Sequence, residues 1–338
     1  MSARPWPTDP LRRVVDYFWA GTDPRVYALV RIAVSIAALV NLIDLWPHRQ
    51  MYFSDDGILS AEVVSAATKG KLYESVFYFV HTQSGVTAVF VCAALAIVAL
   101  GLGFGTRVAA GLVWAWHISY SHRAFPILHG WDAILRSYTL LVFLSPGGRT
   151  WSVDRVLFPR ETDAEDVPVY GLRLMQWQLF VLYTTTCWLK VADVFWRNGQ
   201  VLTYFSMSQY SRTPDDLFLL HHEWISAVGT YLTLATEIAL PWLLWFKRTR
   251  PLGILAGFGL HFTIAATAEL GVFSTCMIPP YFAFLDRGDV DWLVSLARVR
   301  SANQLWLLLG LRGGAASDLA PEESRQAAKP PGEESAEI

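Results

Sequence analysis

Runs of roughly 16 to 22 predominantly apolar residues recur along most of the 338-residue chain, and each is about the length that crosses a bilayer as a helix. Turn-forming and polar residues punctuate them. The pattern predicts an all-α, polytopic membrane bundle of about eight transmembrane helices, near 26–46, 85–103, 106–122, 131–146, 169–190, 224–246, 251–269 and 271–286. The last run contains Pro279 and Pro280, so a kink or partial re-entry is expected there, with protein or water satisfying the freed backbone groups. Stretches 72–80 and 201–207 are too short to cross and are assigned to an interface.

The same pattern divides the chain into an N-terminal segment 1–25, a transmembrane domain 26–290, an amphipathic surface helix 291–312 and a tail 313–338. The tail is Ala, Ser, Pro, Gly and Glu with few large apolar residues, too few to offset its ordering entropy, and is expected to be disordered. No internal repeat of the kind that builds many transporters is visible.

Basic residues set the orientation. With the N-terminus in the cytoplasm and eight crossings, Arg4, Arg12, Arg13, Arg25, Arg107, Arg149, Arg155, Arg160, Lys247, Arg248, Arg250, Arg287, Arg298 and Arg300 fall inside. Fewer fall outside: Arg49, Lys69, Lys71, Arg123, Arg197 and Arg212. That bias obeys the positive-inside rule and places both termini in the cytoplasm of a multi-pass cell-membrane protein. An odd number of spans would strand either the KRTR loop or the C-terminal arginines on the wrong side.

Composition agrees with burial in lipid. The chain is 53% hydrophobic and 17% charged, against about 25% charged for soluble domains. Its 15 tryptophans suit aromatic belts at the two interfaces. A net charge of -2 gives no basic excess, which argues against a nucleic-acid partner. Cys92, Cys187 and Cys276 all lie in apolar runs without metal spacing and read as small buried hydrophobes. The N-terminus has no short apolar stretch ending in a small-residue cleavage site, so no cleaved signal peptide is expected.

The chemistry resides in ionisable groups within the apolar runs: Arg31, Asp44, His117, Asp132, Arg136, Lys190, Asp193, Glu237, His261 and Glu269. Such residues are costly in a bilayer and usually face a cavity or one another. The eight-span topology places most of them in the outer half of the membrane, on five helices, whereas simple snorkelling would put charges at both faces. Bland pairings are open for several. Asp132 and Arg136 are four apart and suit a mutual ion pair; Lys190 and Asp193 suit another; Glu237 suits a buried partner such as Arg31. His261 alone, in GFGLHFTIAA, suits a hydrogen-bonded packing role. Lys190 is the most informative, because an amine in a low-dielectric pocket loses its proton more readily and becomes a general base. If Asp193 reaches it, the pair stays charged and the base role fails.

Four ordered blocks carry a resemblance: RIAVSIAALVNLIDLWPHRQMYFSDDGILS, GWDAILRSYTLLVFLSPGGRTWSVDR, QLFVLYTTTCWLKVADVFWRNGQVLTYF, and LATEIALPWLL with HFTIAATAELGVFSTCMI. Over roughly residues 20 to 290 the chain resembles the HTTM family, the transmembrane module shared with vitamin K-dependent gamma-glutamyl carboxylase. The resemblance implies a quinol of the vitamin K type, oxidised by oxygen, with Lys190 on the position of the base and the chemistry on the outer side. Asp132, Arg136 and His261 are the accompanying candidate site residues. Two departures stand out. WDAILRS has no histidine where the carboxylase carries its catalytic one, and the polar tail stands where the carboxylase has a large lumenal domain. Processive glutamate carboxylation is therefore not expected.

Two function classes remain. One is a membrane enzyme acting on a lipophilic quinol or peptide through an outward-facing polar cavity. The other is a non-catalytic factor for maturation, export or immunity of a secreted peptide, as in the sporulation-delaying toxin system of bacterial relatives. Other chemistries are weakly supported. GLGFGT has no strand before it and reads as a turn between spans, and His221, His222 and Glu223 point in different directions on a helix and lack a fourth metal ligand. No metal site is expected.

Overall fold

The computed structural model describes residues 9–69, 74–159, 166–213 and 218–298. Seven long helices dominate: α1 Pro24–Leu45, α2 Gln83–Leu102, α3 Thr106–Arg123, α4 Gly130–Leu144, α5 Tyr170–Ala192, α6 Glu223–Trp245 and α7 Arg250–Thr267. Their termini follow from local chemistry. Asp23 caps α1 by accepting the Arg25 amide at 2.9 Å, with Pro24 at the first helical position. Thr82 caps α2 in the same way. Gly103 and Gly105, at φ 71° and 52°, turn the chain sharply from α2 into α3, which is the role of the glycines in GLGFGT.

Among the described residues three segments are long and apolar enough to cross a membrane by length and composition: Pro24–Phe53, Gln83–Leu102 and Glu223–Trp245. The first of them runs from α1 through the short helices that follow it. Helix α4 has only 15 residues, short of the roughly 20 that a straight crossing takes. Where an eighth span was expected, two short helices, Phe273–Met277 and Pro279–Phe282, meet at Ile278. Proline has no amide hydrogen and cannot continue a helical ladder.

Successive helices pack on one another, α1 on α2, α2 on α3, α3 on α4 and α6 on α7, while α5 touches both α4 and α6. Small, aromatic and aliphatic residues fill the interior, among them Ala28, Ala37, Ala38, Phe90, Tyr120, Tyr138 and Leu179. The outer faces stay apolar: Leu95 is 66% exposed, Leu255 70% and Phe262 76%. Exposed apolar side chains of this kind are matched by lipid tails.

The all-helical expectation needs one small amendment. Gly21–Thr22 pairs antiparallel with Val167–Pro168, joining the entry to α1 to the entry to α5. Tyr27 strengthens the junction by donating to the Pro168 carbonyl at 2.8 Å. Beside it Asp23 accepts from the Arg25 guanidinium at 2.6 Å, and Arg287 bridges Asp23 and Asp166. Burial pushes the Asp23 carboxyl up, but the hydrogen bonds from Arg25 outweigh it and hold the group below its ordinary 3.8.

Arg31, wholly buried in α1, does not meet Glu237. It donates to the carbonyls of Gly147 at 2.7 Å and Trp151 at 2.5 Å, with a longer contact to Gly101 at 3.4 Å. The pairing expected from sequence is thereby corrected: backbone carbonyls near the C-terminal ends of α2 and α4 receive this cation, where helix dipoles favour positive charge.

The described residues up to Arg287 form one compact unit, and those from Gly288 onward are divided from it. The latter begin with the remainder of helix Arg287–Ala297, with Asp289 in its first turn. The surface helix expected over 291–312 is described only to Arg298; its remainder and the tail 313–338 lie outside the described residues.

Candidate functional site

Asp132 lies in the first turn of α4, and both its carboxylate oxygens are engaged. Oδ1 accepts the Tyr120 hydroxyl at 2.5 Å and Oδ2 accepts the His129 amide at 2.8 Å. Asn41 Nδ2 donates to the same tyrosine oxygen at 3.1 Å. α1, α3 and α4 are thus joined by one polar chain. Beside it opens a cavity of about 240 Å³, lined by Asp44, His48, Tyr52, Asp132, Tyr210 and Glu269 among others. Trp131, which also lines the cavity, packs in a buried apolar cluster with Ala37, Leu135, Val272 and Cys276.

Arg136, one turn further along α4, forms no ion pair with Asp132; the tyrosine and the amide occupy that carboxylate instead. The guanidinium interacts electrostatically with both Asp132 and His117. His117 is wholly buried, with Nδ1 at 2.8 Å from the Val113 carbonyl and Nε2 without a partner.

A second constellation spans α5, α6 and α7. Lys190, in the last turn of α5, places Nζ 2.6 Å from Glu237 Oε1 and bonds Oε2 as well. The pair is sheltered, with 25% of the lysine side chain and 9% of the glutamate exposed. The ammonium also lies over the Trp196 ring, 4.7 Å from its centroid. Asp193 takes no part: its carboxylate caps the helix Val194–Arg197 by accepting the amides of Phe195 and Trp196. The expected Lys190–Asp193 pair is replaced by a longer-range one.

Next to this pair runs a chain of hydroxyls and imidazole. Tyr183 OH is 3.1 Å from His261 Nε2 and 2.7 Å from Tyr281 OH. Lys190 interacts electrostatically with His261, and Glu237 with both tyrosines. His261 Nδ1 is buried and has no partner. Gly257, one turn before His261, makes the approach possible: a Cβ there would stand 2.7 Å from the Tyr281 hydroxyl.

The four residues singled out from sequence are therefore divided. Asp132 lines the cavity, Arg136 interacts electrostatically with Asp132 and His117, and Lys190 and His261 belong to the second constellation. Sequence reasoning missed Asn41, Tyr120, Tyr183 and Tyr281. A usable signal existed for Tyr183, seven residues and two helical turns before Lys190, hence on the same face. Among the described residues no group of three His, Cys, Asp or Glu could hold a metal ion.

Crossing-length apolar helices, lipid-compatible outer faces and buried ionisable groups together fit a helical membrane protein. The HTTM domain matches residues 21–292, and the chain belongs to the HTTM family. No curated protein and no solved structure matches it.

Proposed function

We propose that the chain is a multi-pass enzyme of the cell membrane, with eight crossings and both termini in the cytoplasm, that takes a hydroxyl proton from a lipophilic quinol. The observation that carries this reading is the sheltered Lys190–Glu237 pair beside the Tyr183–His261–Tyr281 chain.

A charged pair is costly when water is excluded. A substrate that displaces the water beside the pair would move the Lys190 proton to Glu237, leaving a neutral amine and a neutral carboxylic acid. The amine then accepts the substrate hydroxyl proton. Glu237 thus stores the proton that would otherwise block the base, and the tuning needs the pair rather than the lysine alone. His261 is buried beside the pair, its Nδ1 without a partner and Phe273 packed 5.6 Å from its imidazole. A bound quinol would supply the reducing equivalents, with dioxygen as oxidant by analogy with the carboxylase. The test is oxygen-dependent quinol consumption by purified protein. Lys190→Ala is expected to abolish it while folding is kept; unchanged turnover would remove the base assignment.

A second reading is favoured by one feature, the complete engagement of Lys190 and Asp132 by groups of the chain itself. Here the polar clusters only hold the bundle together, and the protein serves a secreted peptide as a maturation, export or immunity factor. Retained biological activity in Lys190→Met, with a peptide co-purifying, would favour it over catalysis.

A further inference from the structure

Ahead of α1 runs a helix of 10 residues, Pro10–Trp19. Asp9 caps it by accepting the Leu11 amide at 3.0 Å, and Pro10 occupies its first turn. Its sequence, PLRRVVDYFW, separates into two faces at helical spacing. Leu11, Val14, Val15 and Phe18 stand at i, i+3, i+4 and i+7 and form an apolar stripe, while Arg12 and Asp16, four apart, lie on the polar side.

The last turn seats this helix on the start of α5. The Arg173 guanidinium lies over the Tyr17 ring, 4.5 Å from its centroid, and Trp19 stacks on Tyr170 at 5.9 Å. The Val169 amide donates to the Ala20 carbonyl at 2.9 Å, next to the Gly21–Thr22 strand pair. These contacts leave the stripe bare. Leu11 is 72% exposed, Val14 55% and Val15 48%, and no residue of the helix is buried. A helix this short is marginal alone and draws its stability from covering its apolar face, so the stripe calls for a partner.

Position selects that partner. α1 has 22 residues, about 33 Å of helix, which just crosses a hydrocarbon core of about 30 Å. Its first residue, Pro24, therefore stands at one edge of that core. α5, with 23 residues, starts at the same edge, tied to α1 by the pairing of Gly21–Thr22 with Val167–Pro168. Tyr17 and Trp19 touch Arg173 and Tyr170, both in the first turn of α5. The short helix is thus held level with the bilayer surface, and the apolar medium nearest its stripe is the acyl-chain layer itself.

We propose that helix Pro10–Trp19 is an interfacial anchor, lying in the plane of the bilayer surface with Leu11, Val14 and Val15 dipped among the acyl chains and Arg12 and Asp16 turned to water. The proposal rests on the membrane reading of the fold and is independent of any turnover at Lys190.

Spin labelling in lipid nanodiscs tests it. Cys187 and Cys276 are buried, so only the exposed Cys92 is replaced, by alanine. Nitroxides are placed singly on Leu11→Cys, Arg12→Cys, Val14→Cys, Val15→Cys and Asp16→Cys, with Leu95→Cys on the exposed face of α2 as the lipid reference. Collision with oxygen, which concentrates in lipid, is compared with collision with a water-soluble nickel chelate. The oxygen-to-nickel ratio is expected to be high at 11, 14 and 15, approaching that at 95, and low at 12 and 16. A ratio as low at 11, 14 and 15 as at 12, with the Leu95 label reading lipid, would put the stripe in water and overturn the anchor. Weak collision with both reagents at 11, 14 and 15 would mean that protein covers the stripe, another segment of this chain or a second copy, and would overturn it as well. A Leu95 label that reads as water would instead remove the membrane reading itself, and the anchor with it.

Discussion

Arg31 and Lys190 are both cations within apolar helices, yet the structure treats them in opposite ways. Arg31 is wholly buried and its hydrogen bonds go to backbone carbonyls, groups that do not titrate. Lys190 is partly open and bound by a carboxylate, so a proton can pass between the two partners. A cation held by fixed dipoles is a clamp. One held by a titratable partner is a candidate working site.

Removing each clamp tests the contrast, and Arg31 should cost most. Arg31→Met leaves the Gly147 and Trp151 carbonyls buried without donors, and Trp151 already has a positive φ of 48°, rare for a bulky residue. A loss of about 3 kcal/mol is expected, read as a lower unfolding midpoint in detergent. Lys190→Met should cost less, about 1 to 3 kcal/mol, because the site is partly open. Adding Glu237→Leu should recover most of that loss, since the second change removes the stranded acid. Failure of the double variant to recover would make the pair no pair.

Smaller effects follow. Tyr183→Phe breaks both hydroxyl contacts, with His261 and Tyr281, at a cost of about 1 kcal/mol. The account expects a larger loss of turnover than of stability; equal losses would make this chain structural only. At Asp154 the effect is confined to acid. Burial raises its carboxyl, but the bonds from Thr106 and Gly105 outweigh burial and hold it below the ordinary 3.8. A lowered folded value means that this stabilisation is complete above 3.8 and is lost as pH falls through the folded value. Asp154→Asn should therefore flatten the stability profile at the acid end, and an unchanged profile would contradict the assignment.

Much of the helical frame was legible in the sequence. The run at 26–46 became Pro24–Leu45, and the run at 85–103 became Gln83–Leu102, because apolar length and capping residues act locally. Partners were less legible. Hydropathy and topology fix how deep a side chain sits but not the direction it faces around the helix. Glu237 was accordingly offered to Arg31, whereas its partner is Lys190. Arg31 itself is satisfied by carbonyls, which every residue carries and no sequence pattern marks. Asp132 and Arg136 have the spacing of an ion pair, yet a tyrosine from another helix and the local backbone took the carboxylate. The Pro279-Pro280 break, by contrast, was visible directly, since proline acts on its own backbone.

The account turns on Lys190 and Glu237 working as one unit. The most direct measurement is the quinol turnover of Lys190→Ala, of Glu237→Gln and of the double variant, each first confirmed to be folded. Groups that act together are non-additive, so each single variant is expected to lose about a hundredfold or more and the double variant no more than either. Losses that multiply in the double variant, or a Glu237→Gln protein that turns over at the wild-type rate, would contradict it.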